Sequence, residues 1–131
     1  MAKAAHSMIR VLDEDRAVAF YRDALGLDRI DINRFDGFSL IYLSNAETGF
    51  EVELTVNDDR SEPYAHGDGY GHLAVVVDDL DAAHRRMTDL GYGPRDIKDF
   101  RKDGRPFARF FFVADPDGYQ IEVIQKGGRF S

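Results

Sequence analysis

Two stretches of the chain carry apolar residues at helical spacing. In the first stretch they fall at positions i, i+3, i+4 and i+7, namely Ala17, Phe20, Tyr21 and Ala24. This spacing predicts an amphipathic helix with Asp13 as its N-cap and Gly26 just beyond its C-terminus. A second stretch of the same kind lies between Asp78 and Gly91, and its apolar stripe consists of Leu80, Ala83, Met87 and Leu90. The sequence therefore predicts the same helix twice.

Short apolar or alternating runs around each helix predict strands in matching places. One strand precedes each helix, at residues 7–11 and 73–77, and a weaker strand follows it, at 28–33 and 95–99. Two further strands complete each half, at 40–43 and 50–54 and at 110–113 and 119–123. Each half then has the order β-α-β-β-β, so the chain is predicted to be α+β. Its predicted organisation is a first module at 1–56, a polar linker at 57–70 and a second module with a short C-terminal tail at 71–131.

Four side chains that can bind a metal ion recur at matching positions of the two modules. His6 and His72 open the first strand of each module, whereas Glu53 and Glu122 lie in the middle of its last strand. Strand alternation places both carboxylates on the face opposite to their apolar neighbours. A carboxylate in such a place is costly to bury unless it is paired, hydrogen-bonded or bound to a metal ion. Two imidazoles and two carboxylates suit a divalent transition metal such as Zn, Ni, Co, Mn or Fe.

Taken singly, these residues have simpler interpretations. A histidine near the N-terminus is most often a surface residue, and a strand glutamate most often faces solvent. The repeat relationship among all four favours a metal site instead. His66 and His84 have no repeat partner, and we interpret both as surface residues.

Composition narrows the range of partners. The formal net charge of −7 argues against nucleic acid and acidic membrane surfaces, both of which select basic patches. The absence of cysteine excludes disulfides and thiolate chemistry. No export signal or membrane-spanning run is recognisable, so a cytoplasmic location is expected.

Five motifs carry a resemblance that spans nearly the whole chain. They are HSMIRV at 6–11, FYRDALGL at 20–27, VELTVN at 52–57, GYGHLA at 69–74 and DPDGYQIE at 115–122. With these motifs the sequence resembles the vicinal oxygen chelate superfamily and, within it, the bacterial lactoylglutathione lyases, also called glyoxalase I. The resemblance implies a glyoxalase-type fold in an intertwined homodimer whose metal sites are each assembled from two chains.

The resemblance also implies a reaction and a set of site residues. It implies one divalent metal ion per site, with Ni or Co favoured and Zn possible, and four protein ligands: His6, Glu53, His72 and Glu122. The implied reaction isomerises the hemithioacetal of methylglyoxal and glutathione to S-lactoylglutathione through an enediolate. Glu122 is our first choice for the catalytic base, with Glu53 as its repeat-related partner. Arg10 and Asn57 are expected to contact the γ-glutamyl end of glutathione.

One segment departs from the family pattern. Relatives often carry a Lys-Gly-Gly-like segment before the final hairpin, where it meets the glycine end of glutathione. Residues 100–107 of this chain instead offer Arg101, Lys102 and Arg105, and the sequence does not choose among them.

Three other functions remain open at this point. A metal-dependent acyl-CoA epimerase would use the same enediolate chemistry, whereas an extradiol dioxygenase would leave Glu53 without a role. A metal-free protein that binds drugs or other small molecules would need an apolar or aromatic cavity. The phenylalanines that favour this last function are Phe35, Phe38, Phe107, Phe110, Phe111 and Phe112.

Overall fold

The computed structural model describes all 131 residues as two compact units, Met1–Ala65 and His66–Ser131. The boundary between the units falls within residues 57–70, the segment that the sequence predicts to be a linker. Each unit consists of one helix and one four-stranded sheet in the order β-α-β-β-β. The predicted fold class and the predicted order of elements are therefore confirmed.

The first unit is built on a sheet with the strand order β1-β4-β3-β2, in which β1 and β4 are parallel and the other pairs antiparallel. Its elements are β1 (His6–Arg10), α1 (Glu14–Asp23), β2 (Arg29–Phe35), β3 (Phe38–Asn45) and β4 (Thr48–Asn57). Residues Ile41, Leu43 and Leu54 are fully buried on one face of the sheet. The opposite face carries His6 and Glu53, because successive strand residues point to opposite sides.

The second unit repeats this arrangement with the strand order β5-β8-β7-β6. Its elements are β5 (Leu73–Val77), α2 (Leu80–Asp89), β6 (Lys98–Lys102), β7 (Arg105–Ala114) and β8 (Gln120–Gln125). Strands β5 and β8 are parallel, and the remaining pairs are antiparallel. The buried face contains Phe111, Val113 and Ile121.

The helix termini follow the predicted chemistry in the first unit and differ by one residue in the second. Asp13 caps α1, since its carboxylate accepts a hydrogen bond of 2.9 Å from the Arg16 N–H. The second helix begins one residue later than predicted, because Asp79 rather than Asp78 accepts the capping bond, from Ala82 N–H at 3.0 Å.

The apolar stripe of α1 is buried throughout, whereas in α2 only Leu80 and Met87 are buried and Ala83 is half-buried. Leu90, predicted as the last residue of the second stripe, is the C-cap of α2 and is exposed. The chain turns away from each helix at a glycine with positive φ, Gly26 at 71° and Gly91 at 86°.

The strands are mostly longer than the sequence predicts, and β6 begins three residues later than predicted, at Lys98 instead of residue 95. Two Asp-Gly loops account for this: Asp36-Gly37 joins β2 to β3, and Asp103-Gly104 joins β6 to β7. Asp103 and Gly104 both have positive φ, 52° and 75°, which is the two-residue hairpin turn that Asp-Gly favours. The hairpins therefore extend to these tips. No helix of the chain has the length and apolar character needed to cross a membrane.

Candidate metal centre

The first unit brings His6 and Glu53 together. His6 opens β1 and Glu53 lies on the adjacent parallel strand β4, where its direct cross-strand neighbour is Met8. The Nε2 atom of His6 lies 3.0 Å from Oε1 of Glu53. The His6 side chain is 42% exposed and the Glu53 side chain only 9%, so the pair presents an accessible imidazole above a nearly buried carboxylate.

The second unit brings His72 and Glu122 together in the same way. His72 immediately precedes β5, and Glu122 lies on the adjacent strand β8 opposite Ala74. The Nε2 atom of His72 lies 3.4 Å from Oε1 of Glu122, with the two side chains 40% and 20% exposed. Four residues that the sequence relates by repetition thus form two contacting pairs, one in each unit.

The distances within the pairs fit ligands that share one ion. Two ligands with bonds of about 2.0–2.2 Å, separated by a right angle or a tetrahedral angle, lie roughly 2.8–3.6 Å apart. Both observed separations, 3.0 and 3.4 Å, fall within this range. Imidazole nitrogen and carboxylate oxygen are also the ligand atoms that divalent transition metals accept. Within either unit, no third His, Asp or Glu joins its pair to form a larger group of ligands.

The residues predicted to bind substrate lie at the ends of the two strands that carry the first pair. Arg10 ends β1, opposite Thr55, and shares the sheet face of His6 from four residues away. Asn57 ends β4, and its Nδ2 atom donates a hydrogen bond of 3.1 Å to the Tyr64 hydroxyl. This bond leaves the carbonyl oxygen and the second N–H of the Asn57 carboxamide available for a ligand.

Residues 100–107, the segment that differs from the family pattern, lie on the β6–β7 hairpin together with their basic side chains. Arg101, Lys102 and Arg105 are all exposed there, and Arg101 donates a hydrogen bond of 3.3 Å to the Gly104 carbonyl. Arg101 also lines a groove of about 320 Å³ between this hairpin and the C-terminal segment. None of the four predicted metal ligands lines this groove, so its position does not link it to the His–Glu pairs.

Both histidines interpreted as surface residues make structural contacts. The surface interpretation is wrong for His66, whose ring carries a buried nitrogen, whereas His84 is partly exposed. The His66 ring stacks on Tyr119 at a centroid distance of 3.9 Å, and its Nε2 atom is buried without a hydrogen-bond partner. His84 contacts the Arg95 carbonyl through Nε2 at 2.9 Å and meets Phe111 edge-on at 4.9 Å. Neither contact follows from local sequence, because both partners are distant along the chain.

The fold and the two His–Glu pairs agree with one protein class. Residues 3–123 match the profile of the Glyoxalase/Bleomycin resistance protein/Dioxygenase superfamily, and the chain belongs to this superfamily. The predicted relationship to the vicinal oxygen chelate proteins is thereby confirmed.

Individual relatives point to one branch of the superfamily. The chain is 37% identical over 124 residues to a lactoylglutathione lyase of Haemophilus influenzae, covering 92% of this chain and 90% of the relative. It is 32% identical over 128 residues to a probable lactoylglutathione lyase of Synechocystis, covering 95% of each.

Solved structures of similar proteins share the fold. A glyoxalase I of Leishmania major superimposes with a TM-score of 0.74 at 31% identity, over 95% of this chain and 87% of that one. A variant of maize glyoxalase I gives a TM-score of 0.85 at 27% identity; this chain is covered to 96% but spans only 45% of the maize chain.

Proposed function

We propose that this protein is a metal-dependent lactoylglutathione lyase. Its reaction would isomerise the hemithioacetal of methylglyoxal and glutathione to S-lactoylglutathione through an enediolate. The observation that carries the proposal is the pair of matching His–Glu contacts in a chain whose relatives are lactoylglutathione lyases. The accessible imidazoles of both pairs support a site that exchanges ligands with solvent.

The proposed metal centre contains four protein ligands, His6, Glu53, His72 and Glu122, with one pair from each unit. Because each unit supplies only two ligands, neither unit alone would bind a catalytic ion. The bound divalent ion, Ni or Co by preference and Zn as the alternative, would act as a Lewis acid that stabilises negative charge on the substrate oxygens.

Glu122 is the proposed base of the reaction. It would take a proton from one carbon of the hemithioacetal and return it to the adjacent carbon, which requires a carboxylate that reaches both atoms. The greater exposure of the Glu122 side chain, 20% against 9% for Glu53, supports this assignment. Glu53 would serve as its repeat-related partner and remain a ligand.

Arg10 and Asn57 are the proposed contacts for the γ-glutamyl end of glutathione. The guanidinium of Arg10 can hold a carboxylate through two parallel hydrogen bonds. The Tyr64 hydroxyl supports the role of Asn57, because its hydrogen bond orients the carboxamide at the end of β4. Such contacts would bind the substrate at a distance from its reacting carbons.

The proposed active protein is a cytoplasmic homodimer. Several large apolar side chains are exposed in the single chain, among them Ile32, Phe35 and Phe100. Burial of such residues would stabilise association, because removing apolar surface from water contributes about 25 cal/mol per Å².

Reconstitution tests the proposal directly. The metal-stripped protein would be loaded separately with Ni²⁺, Co²⁺ and Zn²⁺ and assayed for thioester formation from methylglyoxal and glutathione. Turnover with at least one ion is expected, and chelation should abolish it. The Glu122→Gln protein should lose about 10²–10⁴-fold in kcat, the usual contribution of a general base.

A matched control separates the loss of a base from the loss of a charge. Glu47 lies in the exposed β3–β4 turn, so the Glu47→Gln protein should keep the parental kcat. Absence of turnover with all three ions would refute the lyase assignment. Conversion of an acyl-CoA by the same preparations would then favour the epimerase.

A further inference from the structure

The two His–Glu pairs differ at one repeat-related position on the neighbouring strand. Strand register places Tyr42 of β3 directly opposite Glu53 and Phe112 of β7 directly opposite Glu122. Each ring lies edge-on to the histidine of its own pair, His6 at a centroid distance of 5.7 Å and His72 at 5.2 Å. The two positions are equivalent in the repeat, and their side chains differ only by a phenolic hydroxyl.

This hydroxyl changes the environment of one carboxylate. Strand register and the edge-on contact with His6 place the Tyr42 side chain beside the Glu53 carboxylate, and the Tyr42 hydroxyl is hydrogen-bonded to Glu53. In this bond the phenolic O–H donates and the carboxylate accepts. Phe112 offers Glu122 no polar atom, so the two glutamates differ in partners as well as in exposure.

We infer that Tyr42 is a positioning residue that fixes the Glu53 carboxylate beside His6, while Phe112 leaves Glu122 free to move. Groups that hydrogen-bond to a ligand orient it and strengthen metal binding. A carboxylate that carries a proton from one carbon to the next must instead change its position during turnover. The Tyr–Phe difference therefore gives the two halves of a duplicated site different roles.

The first half of this inference is tested by metal affinity without substrate. Tyr42→Phe removes the hydroxyl and keeps the ring, and the affinity of the metal-stripped protein for Zn²⁺ is measured by competition with a coloured chelator. Loss of such a supporting hydrogen bond should weaken binding by about 10–100-fold. Parental Zn²⁺ affinity in the Tyr42→Phe protein would overturn the role of Tyr42.

A second tyrosine provides the matched control. Tyr92 lies in the loop after α2, so the Tyr92→Phe protein should bind Zn²⁺ as the parent does. Urea unfolding of the Tyr42→Phe protein should show only a small loss of stability, because one hydrogen bond is lost while the packing of the ring is unchanged. An affinity loss in a Tyr42→Phe protein that remains fully folded during the titration distinguishes positioning of the ligand from support of the fold.

The second half of the inference rests on the proposed function and is tested by adding a hydroxyl. Phe112→Tyr places a phenol opposite Glu122, which should retain or tighten Zn²⁺ binding and lower kcat by about 10–100-fold with little change in KM. A Phe112→Tyr protein with parental kcat would overturn the mobility of Glu122. If the parent protein binds Zn²⁺ but does not convert the glutathione adduct, the lyase assignment is refuted. The role of Tyr42 is still tested in that case, because the Zn²⁺ affinity measurement needs no substrate.

Discussion

Arg10 and His6 lie on the same face of β1. Because they are far apart along the strand, Arg10 is expected to bind the substrate away from its reacting carbons. Four strand residues correspond to about 13 Å, so a substrate carbon held near His6 lies beyond the reach of the Arg10 guanidinium. A tripeptide such as glutathione is long enough to extend from the pair to Arg10. Arg10 is therefore expected to contribute equally to the ground state and the transition state.

The Arg10→Ala substitution should raise KM and leave kcat nearly unchanged. Loss of a charge-assisted hydrogen bond costs about 1.5–3 kcal/mol, which corresponds to a roughly 10- to 150-fold rise in KM. Steady-state kinetics with the methylglyoxal–glutathione adduct provide the measurement. Arg29→Ala, at an exposed position that begins β2, is the control and should keep the parental KM. An unchanged KM in Arg10→Ala would refute the assigned role without refuting the lyase.

For single residues, the sequence predicts the sheet face on which a side chain lies better than the residues that the side chain contacts. Strand alternation correctly separates Glu53 from its buried neighbours Val52 and Leu54. The surface interpretation of His66 is wrong, because its environment is formed by Tyr119 from another part of the unit. The neighbouring Gly118 gives no local sign of this contact, because its φ of +90° by itself favours glycine and a Cβ there would lie at an ordinary 3.6 Å from the His66 ring.

At the scale of elements, an ion pair ties the first turn of α2 to β7. Arg109 of β7 donates two hydrogen bonds to the Asp81 carboxylate, at 3.0 and 3.1 Å. The bonds from Arg109 are the main reason that the pKa of Asp81 lies below its ordinary value of 3.8. A comparable pair, Arg34 with Glu14, joins β2 to the first turn of α1 in the other unit.

This pair predicts a pH dependence of stability in the second unit. Because the folded-state pKa of Asp81 is lowered, its stabilising contribution is present above pH 3.8 and is lost as the pH falls through the folded-state value. The Asp81→Asn protein should thus be slightly less stable than the parent at neutral pH, and the difference should shrink below about pH 4. Urea unfolding across this range is the measurement.

The control for this measurement is Asp96→Asn, in the loop between α2 and β6. It removes an exposed carboxylate without removing the contact to Arg109. The difference in the free energy of unfolding between Asp96→Asn and the parent should stay the same as the pH is lowered. A difference between Asp81→Asn and the parent that stays constant from neutral to acid pH would contradict the assigned contribution.

Helices were easier to predict than strand ends. The stripe from Ala17 to Ala24 and the Asp13 cap are local features, and both are confirmed. The lengths of β2 and β7 depend on hairpin partners, and the prediction missed the two Asp-Gly turns that extend them. A more consistent use of this turn signal would have corrected both strands.

For the whole molecule, the prediction is a dimer. One chain has a mass of 14.8 kDa, and light scattering at micromolar concentration should give twice this value for both metal-loaded and metal-stripped protein. The reason is that the single chain leaves large apolar side chains exposed, and that the proposed metal site is assembled from two chains. The mass of a single chain under both conditions would contradict the dimer.

The sequence by itself determined the duplicated β-α-β-β-β order, the capped helix α1 and the repeat-related placement of the two histidines and two glutamates. These features follow from local periodicity, turn chemistry and comparison of one half with the other. Only the tertiary structure decided that His6 lies 3.0 Å from Glu53, that Tyr42 hydrogen-bonds to this carboxylate and that His66 stacks on Tyr119. Such contacts depend on strand register and packing between residues far apart in the chain, which no local pattern encodes.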